Sequence, residues 1–231
     1  MNITYHFRGE HIDRTFEIAL DPVTLARKPP RGAARPAWTR RSPGACPGCP
    51  LAASEEYCPM ALALVDLEDF AGGIDSFAPL HASVVTPERT VRADVSAQRA
   101  ISALMGLLIA TSGCPEVAWL RPMARFHLPF ASDEETIYRA TSMYLLAQYF
   151  RHHGGLPADL DLAGLRAAYQ RLHQINLAMS ERLKAVVDRD AAINAVVLLD
   201  LFAKALPYSI DTDVGELAYL FTAYLATETI S

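Results

Sequence analysis

The chain has 231 residues, enough for one sizeable hydrophobic core and too many for a small disulfide-stapled domain. Hydrophobic residues make up 51% and charged residues 20% of the sequence, which is the composition of a folded rather than a disordered protein. The formal net charge of −5 gives no general electrostatic reason to bind nucleic acid or an anionic membrane.

The N-terminal part combines strand-like and irregular sequence. Alternation of apolar and polar side chains, followed by turn residues, predicts two β-hairpins: residues 2–8 with 14–20, and residues 82–86 with 89–93. Residues 27–50 contain six prolines, three glycines and six lysines or arginines but no acidic residue. This segment is therefore expected to be irregular and extended.

Helical patterning dominates the rest of the chain. Seven segments combine apolar periodicity with start or stop signals: residues 59–70, 96–111, 114–125, 132–153, 161–187, 190–205 and 213–227. Ser132 and Glu135 fit a capping box, Asp161 is predicted as an N-cap, and Pro207 is expected to end the sixth helix.

These elements predict a mainly α (α+β) fold. It would consist of a bundle of about seven helices, a small N-terminal antiparallel β element and an irregular loop rich in cysteine and proline. We expect a single domain over residues 1–231, with a β and cysteine-loop cap over 1–95 and the helical bundle over 96–231.

The sequence favours a cytoplasmic location without membrane contact. Residues 1–25 lack the apolar run of a signal peptide, and no uninterrupted apolar stretch approaches the roughly 20 residues that cross a bilayer. The best candidate, residues 191–203, contains Asn194 and Asp200. Thiols stay reduced in the cytoplasm, so cysteines there indicate metal binding or redox chemistry before structural disulfides.

Each of the chain's four cysteines is followed directly by proline: Cys46, Cys49, Cys58 and Cys114. Proline pushes the residue before it towards an extended backbone, which suits a loop or a helix N-cap. Cys46 and Cys49 are separated by two residues, a spacing that lets two sulfurs face one ion, and Gly48 permits the tight turn between them. The shared context predicts that all four sulfurs ligate one metal centre.

Three interpretations of these cysteines stay open. A [4Fe–4S] cluster is favoured, because each iron takes its own thiolate and the set has one close pair and two separate cysteines. A structural zinc site with four cysteines in a helical interaction module is the second interpretation, although zinc usually uses two close pairs. The third is a thiol enzyme or redox switch that uses Cys114 or the Cys46/Cys49 pair.

Several motifs resemble an uncharacterised family of soluble bacterial four-cysteine proteins. They are CPGCPL over residues 46–51, YCP over 57–59, TSGCP over 111–115, RPMARFHLP over 121–129 and EETIYRATSM over 134–143. The resemblance covers most of the chain and implies no particular activity. In spacing alone, three clustered cysteines and a distant fourth are similar to oxygen-sensing iron–sulfur regulators, but the sequence has no helix-turn-helix signature.

Other side chains are weaker candidates. His127 could be a fifth ligand or a general base near Glu134 and Glu135, or a half-buried histidine in a helix connection with the glutamates as caps. Three arginines could hold an anion or pair with local carboxylates: Arg121, Arg125 and Arg139. The basic segment 27–41, which includes Trp38, fits a solvated linker better than a nucleic-acid site. A protein partner or a homo-oligomer is left open.

Overall fold

The computed structural model describes residues 1–28, 32–42, 44–186 and 190–226, apart from the side chain of Ser209. The chain divides into two compact units. The first unit comprises Met1–Phe130 and Arg171–Leu201, and the second comprises Ala131–Gln170 and Phe202–Ser231.

One antiparallel sheet in the first unit has the strand order β2-β1-β3-β4. Its strands are β1 (Asn2–Gly9), β2 (Ile12–Ala19), β3 (Pro79–Val85) and β4 (Thr90–Ser96). Tyr5 on β1 pairs with Phe16 on β2 and with Val84 on β3. Ile3, Tyr5 and Phe7 are wholly buried, because alternate residues of a strand point to the same face. Both predicted hairpins are confirmed, and pairing of β1 with β3 joins them.

Helix α3 (Ala97–Thr111) provides the other side of the first unit's core. It contacts β3 and β4 and begins after Ser96, as predicted. Ile101 and Leu104 are wholly buried on this helix. Burying each such side chain contributes about 1.5–3 kcal/mol, so α3 and the sheet stabilise one another.

Two predicted helices are each divided. Residues 59–70 form α1 (Pro59–Ala63) and α2 (Val65–Ala71), because the N–H of Leu64 bonds to the carbonyl of Ala61 in a tighter turn. Residues 114–125 form a 3₁₀ helix (Pro115–Leu120) followed by α4 (Arg121–Arg125). A further 3₁₀ helix, Ala37–Thr39, lies in the segment predicted to be irregular.

Three long helices follow: α5 (Asp133–His153), α6 (Ala163–Lys184) and α7 (Ala191–Glu216). The predicted capping box of α5 is confirmed, since Ser132 accepts from the N–H of Glu135 and Glu135 accepts from the N–H of Ser132. A 3₁₀ helix (Ala218–Phe221) and α8 (Thr222–Leu225) complete the described elements. The predicted helix ends at Val187 and Thr227 lie outside the described residues.

The predicted cap of α6 is wrong. Asp159, rather than Asp161, accepts a hydrogen bond from the N–H of Gly164 at 2.7 Å. Leu162 has a φ of 58°, in the left-handed region, so the chain bends just before the helix begins. That bend brings the earlier aspartate to the helix terminus. Tyr144 on α5 donates to the same Asp159 carboxylate at 2.7 Å.

The prediction that Pro207 ends a helix is also wrong, because α7 continues through it to Glu216. Proline inside a helix removes one hydrogen bond and costs about 3 kcal/mol. Leu206 and Ile210, on either side of Pro207, are each only 1% exposed. Burial of two such side chains contributes about as much as the proline costs, so the helix persists.

Among the described residues, helix α7 is apolar enough to cross a membrane by length and composition. The Ala191–Tyr208 window of α7 has a mean hydropathy of 1.5, and 39% of it is buried. Helix α3 and the short helices after it pass the same test as a pair, with a bend of 114° between them. Within the first unit, Asn194 of α7 donates to the Ser76 hydroxyl at 2.7 Å. Pairing of this kind satisfies a polar group on a core helix.

The mainly α fold class with a small N-terminal antiparallel sheet is confirmed. The first unit contains residues from both sides of the predicted boundary at residue 95. A single domain over residues 1–231 stays a prediction.

Candidate metal centre

Cys46 and Cys49 lie at the two ends of a tight turn. The N–H of Cys49 donates to the carbonyl of Cys46 at 3.1 Å. Gly48 has a φ of 64°, a left-handed conformation that a side chain would strain. Both thiols are partly buried, whereas Pro47 and Gly48 between them are exposed. The turn therefore fixes the spacing of this pair.

Cys58 lies at the base of the loop that carries this pair. It is buried and occupies the N-cap of α1, with Pro59 as the first helical residue, as predicted. Its N–H donates to the carbonyl of Thr39 at 2.8 Å, beside a β-bridge between Arg40 and Tyr57. These contacts bring residues 39–41 against residues 56–58. The segment that carries Cys46 and Cys49 between them is here called the cysteine loop (residues 44–55).

Cys114 lies in the bend after α3. Gly113, with a φ of 87°, turns the chain, and Cys114 is the N-cap of the 3₁₀ helix Pro115–Leu120. The N–H of Cys114 donates to the Ser112 hydroxyl at 3.2 Å. The predicted position of Cys114 at the start of a helical segment is thus confirmed, although that segment is 3₁₀ rather than α.

Arg182 of α6 anchors the start of the cysteine loop. Arg182 is only 8% exposed, and its guanidinium donates only to main-chain oxygens among the described residues. The acceptors are the carbonyls of Trp38 at 2.9 Å, Arg40 at 2.6 Å, Arg41 at 3.0 Å and Gly44 at 2.9 Å. The main chain before Cys46 is therefore held by a buried cation that has no carboxylate partner in the described part of the chain.

Arg171, on the same helix, reaches the segment that follows Cys114. Its guanidinium donates to the carboxylate of Glu116, and both side chains are about three-quarters buried. Arg171 and Arg182 are eleven residues apart, which is about three turns, so they share one face of α6. Through these two arginines, one helix face contacts both cysteine-bearing segments.

Burial raises the pKa of two of the thiols, Cys114 and Cys46. Burial raises the pKa of Cys114 to about 11, and charges on Cys58, Cys46 and Cys49 add to the increase. Burial also raises the pKa of Cys46, with further increases from Cys58 and Cys49, while the positive charges of Arg182 and Arg171 lower it. The other three cysteines are thus within electrostatic range of Cys114, and Cys58 and Cys49 are within range of Cys46.

The thiols are free, and their arrangement is open rather than a closed cage. All four lie in the first unit as unpaired cysteines. Among residues 1–28, 32–42, 44–186 and 190–226, no three His, Cys, Asp or Glu side chains are grouped closely enough to hold an ion. Charge interactions extend over several ångströms, further than the metal–sulfur bond of about 2.3 Å. A shared centre would therefore require the sulfurs to move closer when it binds.

The weaker sequence candidates have other contacts. His127 hydrogen-bonds through Nε2 to the buried hydroxyl of Tyr5. Arg125 pairs with Glu88 at 3.2 Å, which fits the local ion pair considered for it. Nε of Arg121 is a buried nitrogen without a hydrogen-bond partner among the described residues. Burial lowers the pKa of Arg139 in the second unit.

The basic segment also departs from a solvated linker. Arg27 donates to the carbonyl of Ala63 at 2.8 Å, and its side chain is only 12% exposed. Arg41 donates to the carbonyls of Leu51 and Ala52, each at 2.6 Å. Arginine side chains therefore supply hydrogen bonds that the irregular main chain does not make with itself.

Sequence reasoning missed Arg171, Arg182 and a pairing of His173 with Asp200. His173 Nδ1 lies 2.9 Å from both carboxylate oxygens of Asp200, and Asn176 donates to the same carboxylate at 3.2 Å. The eleven-residue spacing of the two arginines on one helix face was a signal in the sequence. Their partners are main-chain groups distant in sequence, which no motif marks.

Comparison with known proteins gives a family but no characterised relative. No curated protein matches the chain, and no solved structure matches it. A family model described as a domain of unknown function, DUF6901, matches residues 2–222. This span covers both units almost completely, and the chain therefore belongs to the DUF6901 family.

Proposed function

We propose that this chain is a metal-binding protein in which Cys46, Cys49, Cys58 and Cys114 hold one centre, a [4Fe–4S] cluster in a redox, sensory or structural role. The observation that carries the proposal is that all four cysteines are free thiols of one unit, and that negative charge on Cys46, Cys49 or Cys58 raises the pKa of Cys114. Thiolates that repel one another in this way gain from a cation placed among them.

The state of the thiols supports metal binding over thiol catalysis. A nucleophilic cysteine needs a lowered pKa, since the thiolate is the reactive form. The pKa of Cys114 is instead raised to about 11. A metal displaces such protons because it bonds to the thiolate. The chemistry of Cys114 therefore fits a ligand better than the nucleophile of a thiol enzyme.

The surrounding charges support an anionic centre. Four thiolates on a [4Fe–4S] core, or on Zn²⁺, carry net negative charge. Arg182 and Arg171 lower the pKa of Cys46, so their positive charges act at the thiols. A buried guanidinium bonded only to neutral carbonyls is expensive without a nearby anion. The proposed centre would supply that anion beside Arg182.

The choice of cluster over zinc depends on the ligand pattern. The cysteines comprise one two-residue-spaced pair, one cysteine at a helix N-cap and one in the bend after α3. In a cuboidal cluster each thiolate bonds a different iron, so four separately held sulfurs can be accommodated. A structural zinc site with the same four ligands is the alternative.

We further propose that the protein is soluble and cytoplasmic. Reduced thiols and oxygen-sensitive clusters suit that compartment. The polar residues Asn194 and Asp200 of α7 have hydrogen-bond partners in the first unit. These pairs support a core helix rather than a membrane span.

The test is analysis of the full chain purified without oxygen. We expect about four irons and four sulfides per chain and a broad visible absorption, because a [4Fe–4S] cluster contains these atoms. Replacement of each cysteine in turn by serine should remove most of that absorption. Ser54→Ala, at an exposed position in the cysteine loop, is the matched control and should keep it.

The competing outcomes are distinct. Colourless protein with about one zinc per chain would overturn the cluster and support the structural zinc alternative. Protein without metal, even after anaerobic reconstitution with iron and sulfide, would overturn the shared centre. Retention of full absorption in Cys114→Ser would show that this cysteine is not a ligand.

A further inference from the structure

A small pocket lies beside the β3–β4 turn in the first unit. Its volume is about 250 Å³, and it is lined by Thr86, Glu88, Arg89, Arg125, Phe126 and His127. None of these residues is a cysteine or a partner of Arg182, so the pocket is independent of the proposed centre. It is smaller than the roughly 300–1,000 Å³ of pockets for drug-sized ligands.

The β3–β4 turn uses the main chain of Arg89 but not its side chain. The N–H of Thr86 donates to the carbonyl of Arg89 at 2.9 Å, and the Thr86 hydroxyl accepts from the N–H groups of Glu88 and Arg89. These bonds satisfy the main chain of the turn. The side chain of Arg89 is exposed and has no hydrogen bond or ion pair in the part of the chain that the structure describes.

Arg125 and Phe126 also line the pocket. The Arg125 guanidinium lies 5.5 Å from the centre of the Phe126 ring and donates to Glu88 at 3.2 Å. Phe126 is 71% exposed, which is unusual for a phenylalanine. The pocket thus places an aromatic face next to a guanidinium.

His127 hydrogen-bonds to Tyr5, a buried residue of the sheet. The wholly buried hydroxyl of Tyr5 lies within hydrogen-bond distance of His127 Nε2 and 3.1 Å from the carbonyl of Ala103. A tyrosine hydroxyl has one proton to donate. Both contacts are satisfied when Tyr5 donates to Ala103 and accepts from Nε2–H of His127. These two hydrogen bonds of Tyr5 orient the imidazole ring that lines the pocket.

We propose that this pocket binds a small carboxylate whose apolar part packs on Phe126. Arg125 and Arg89 carry two positive charges against the single carboxylate of Glu88, so the lining attracts anions. A guanidinium presents a planar pair of donors that matches a carboxylate. The exposed ring selects ligands that carry an apolar group.

Glu88 is the internal competitor of that ligand. Arg125 donates to the Glu88 carboxylate and lowers its pKa, so Glu88 is charged at neutral pH. An incoming carboxylate replaces Glu88 on Arg125. Because such an exposed ion pair is weak, the displacement costs little.

The experiment is an NMR titration of the full-length protein with benzoate, acetate and inorganic phosphate. We expect benzoate to bind with a millimolar Kd and more tightly than acetate, with the largest shifts at Arg89, Arg125 and His127. Arg125→Gln should weaken benzoate binding by about tenfold or more. Glu88→Gln should strengthen it, by up to about fivefold, because the competitor loses its charge.

Arg92→Gln is the matched control, since Arg92 is exposed on β4 and does not line the pocket. It should leave benzoate affinity unchanged. An equal loss in Arg92→Gln and Arg125→Gln would overturn the proposal, because binding would then follow net charge. Absence of benzoate binding, or tighter binding of phosphate than of benzoate, would also overturn it.

Discussion

Arg182 on α6 donates through Nε to the carbonyl oxygen of Gly44 at 2.9 Å, two residues before the first cysteine. The two residues are 138 positions apart in sequence. Together with the bonds to residues 38–41, this contact links the start of the cysteine loop to a long helix. The loop therefore has an anchor that does not depend on a metal.

The first prediction concerns this anchor. Arg182→Met keeps most of the apolar stem but removes every donor, which breaks four part-buried hydrogen bonds to main-chain carbonyls. We expect the free energy of unfolding to fall by about 2–4 kcal/mol, because several hydrogen bonds from a charged donor are lost at once. Urea unfolding followed by circular dichroism measures the change.

Lys184→Met is the control for this substitution. Lys184 is half-exposed on the same helix and pairs only with Glu181 among the described residues. Its replacement should change the free energy of unfolding by less than about 0.5 kcal/mol. A similarly small effect of Arg182→Met would show that the carbonyl contacts do not stabilise the fold.

The second prediction separates the anchor from the centre. Cys114→Ser should lose metal and make residues 44–56 more sensitive to elastase, which cleaves after small residues such as the exposed Ala52 and Ala53. The reason is that Cys114 would connect the loop to the end of α3 only through the metal. The measurement is the cleavage rate, with metal content determined on the same samples.

The later helices should stay folded in this variant, because their buried apolar faces do not involve Cys114. Equal elastase resistance in wild type and Cys114→Ser, despite metal loss, would mean that Arg182 and Arg41 hold the loop alone. The centre would then serve redox or sensory chemistry rather than stability.

Local signals explain which parts of this fold can be predicted from sequence. The capping box of Ser132 and the cysteine–proline pairs act over a few residues, and each is found where expected. The prediction at Pro207 was wrong because the burial of Leu206 and Ile210 outweighs the tendency of proline to end a helix. The anchor formed by Arg182 escaped prediction because its acceptors are ordinary main-chain carbonyls.

The third prediction is a pH dependence in the second unit. The N–H of Gly164 and the hydroxyl of Tyr144 lower the pKa of Asp159 from its ordinary value of 3.8. As pH falls, the unfolded chain therefore takes up this proton before the folded one does. The stabilising contribution of Asp159 is complete above about pH 3.8 and is lost as pH falls through the lower, folded-state pKa.

Asp159→Ala should accordingly be less stable than wild type at pH 7, and the difference should narrow below pH 3.8. Urea unfolding of the variant and of wild type at several pH values measures the stability difference at pH 7 and its change at lower pH. Asp161→Ala is the control, because the structure assigns the cap of α6 to Asp159. If Asp161→Ala lost more free energy of unfolding than Asp159→Ala, Asp161 would be the cap of α6, as the sequence predicted.

The last prediction uses the same substitution at two glycines with opposite expected results. A Cβ at Gly164 would overlap the Tyr144 hydroxyl, which must then leave Asp159, so Gly164→Ala should destabilise by about 1–3 kcal/mol. A Cβ at Gly215 in α7 meets no atom within 4 Å among the described residues. Gly215→Ala should be neutral or stabilise by up to about 1 kcal/mol, because alanine loses less backbone entropy in a helix. Urea unfolding of both variants is the measurement, and a shift of the same sign in both would contradict the Tyr144–Asp159 contact as the source of the effect.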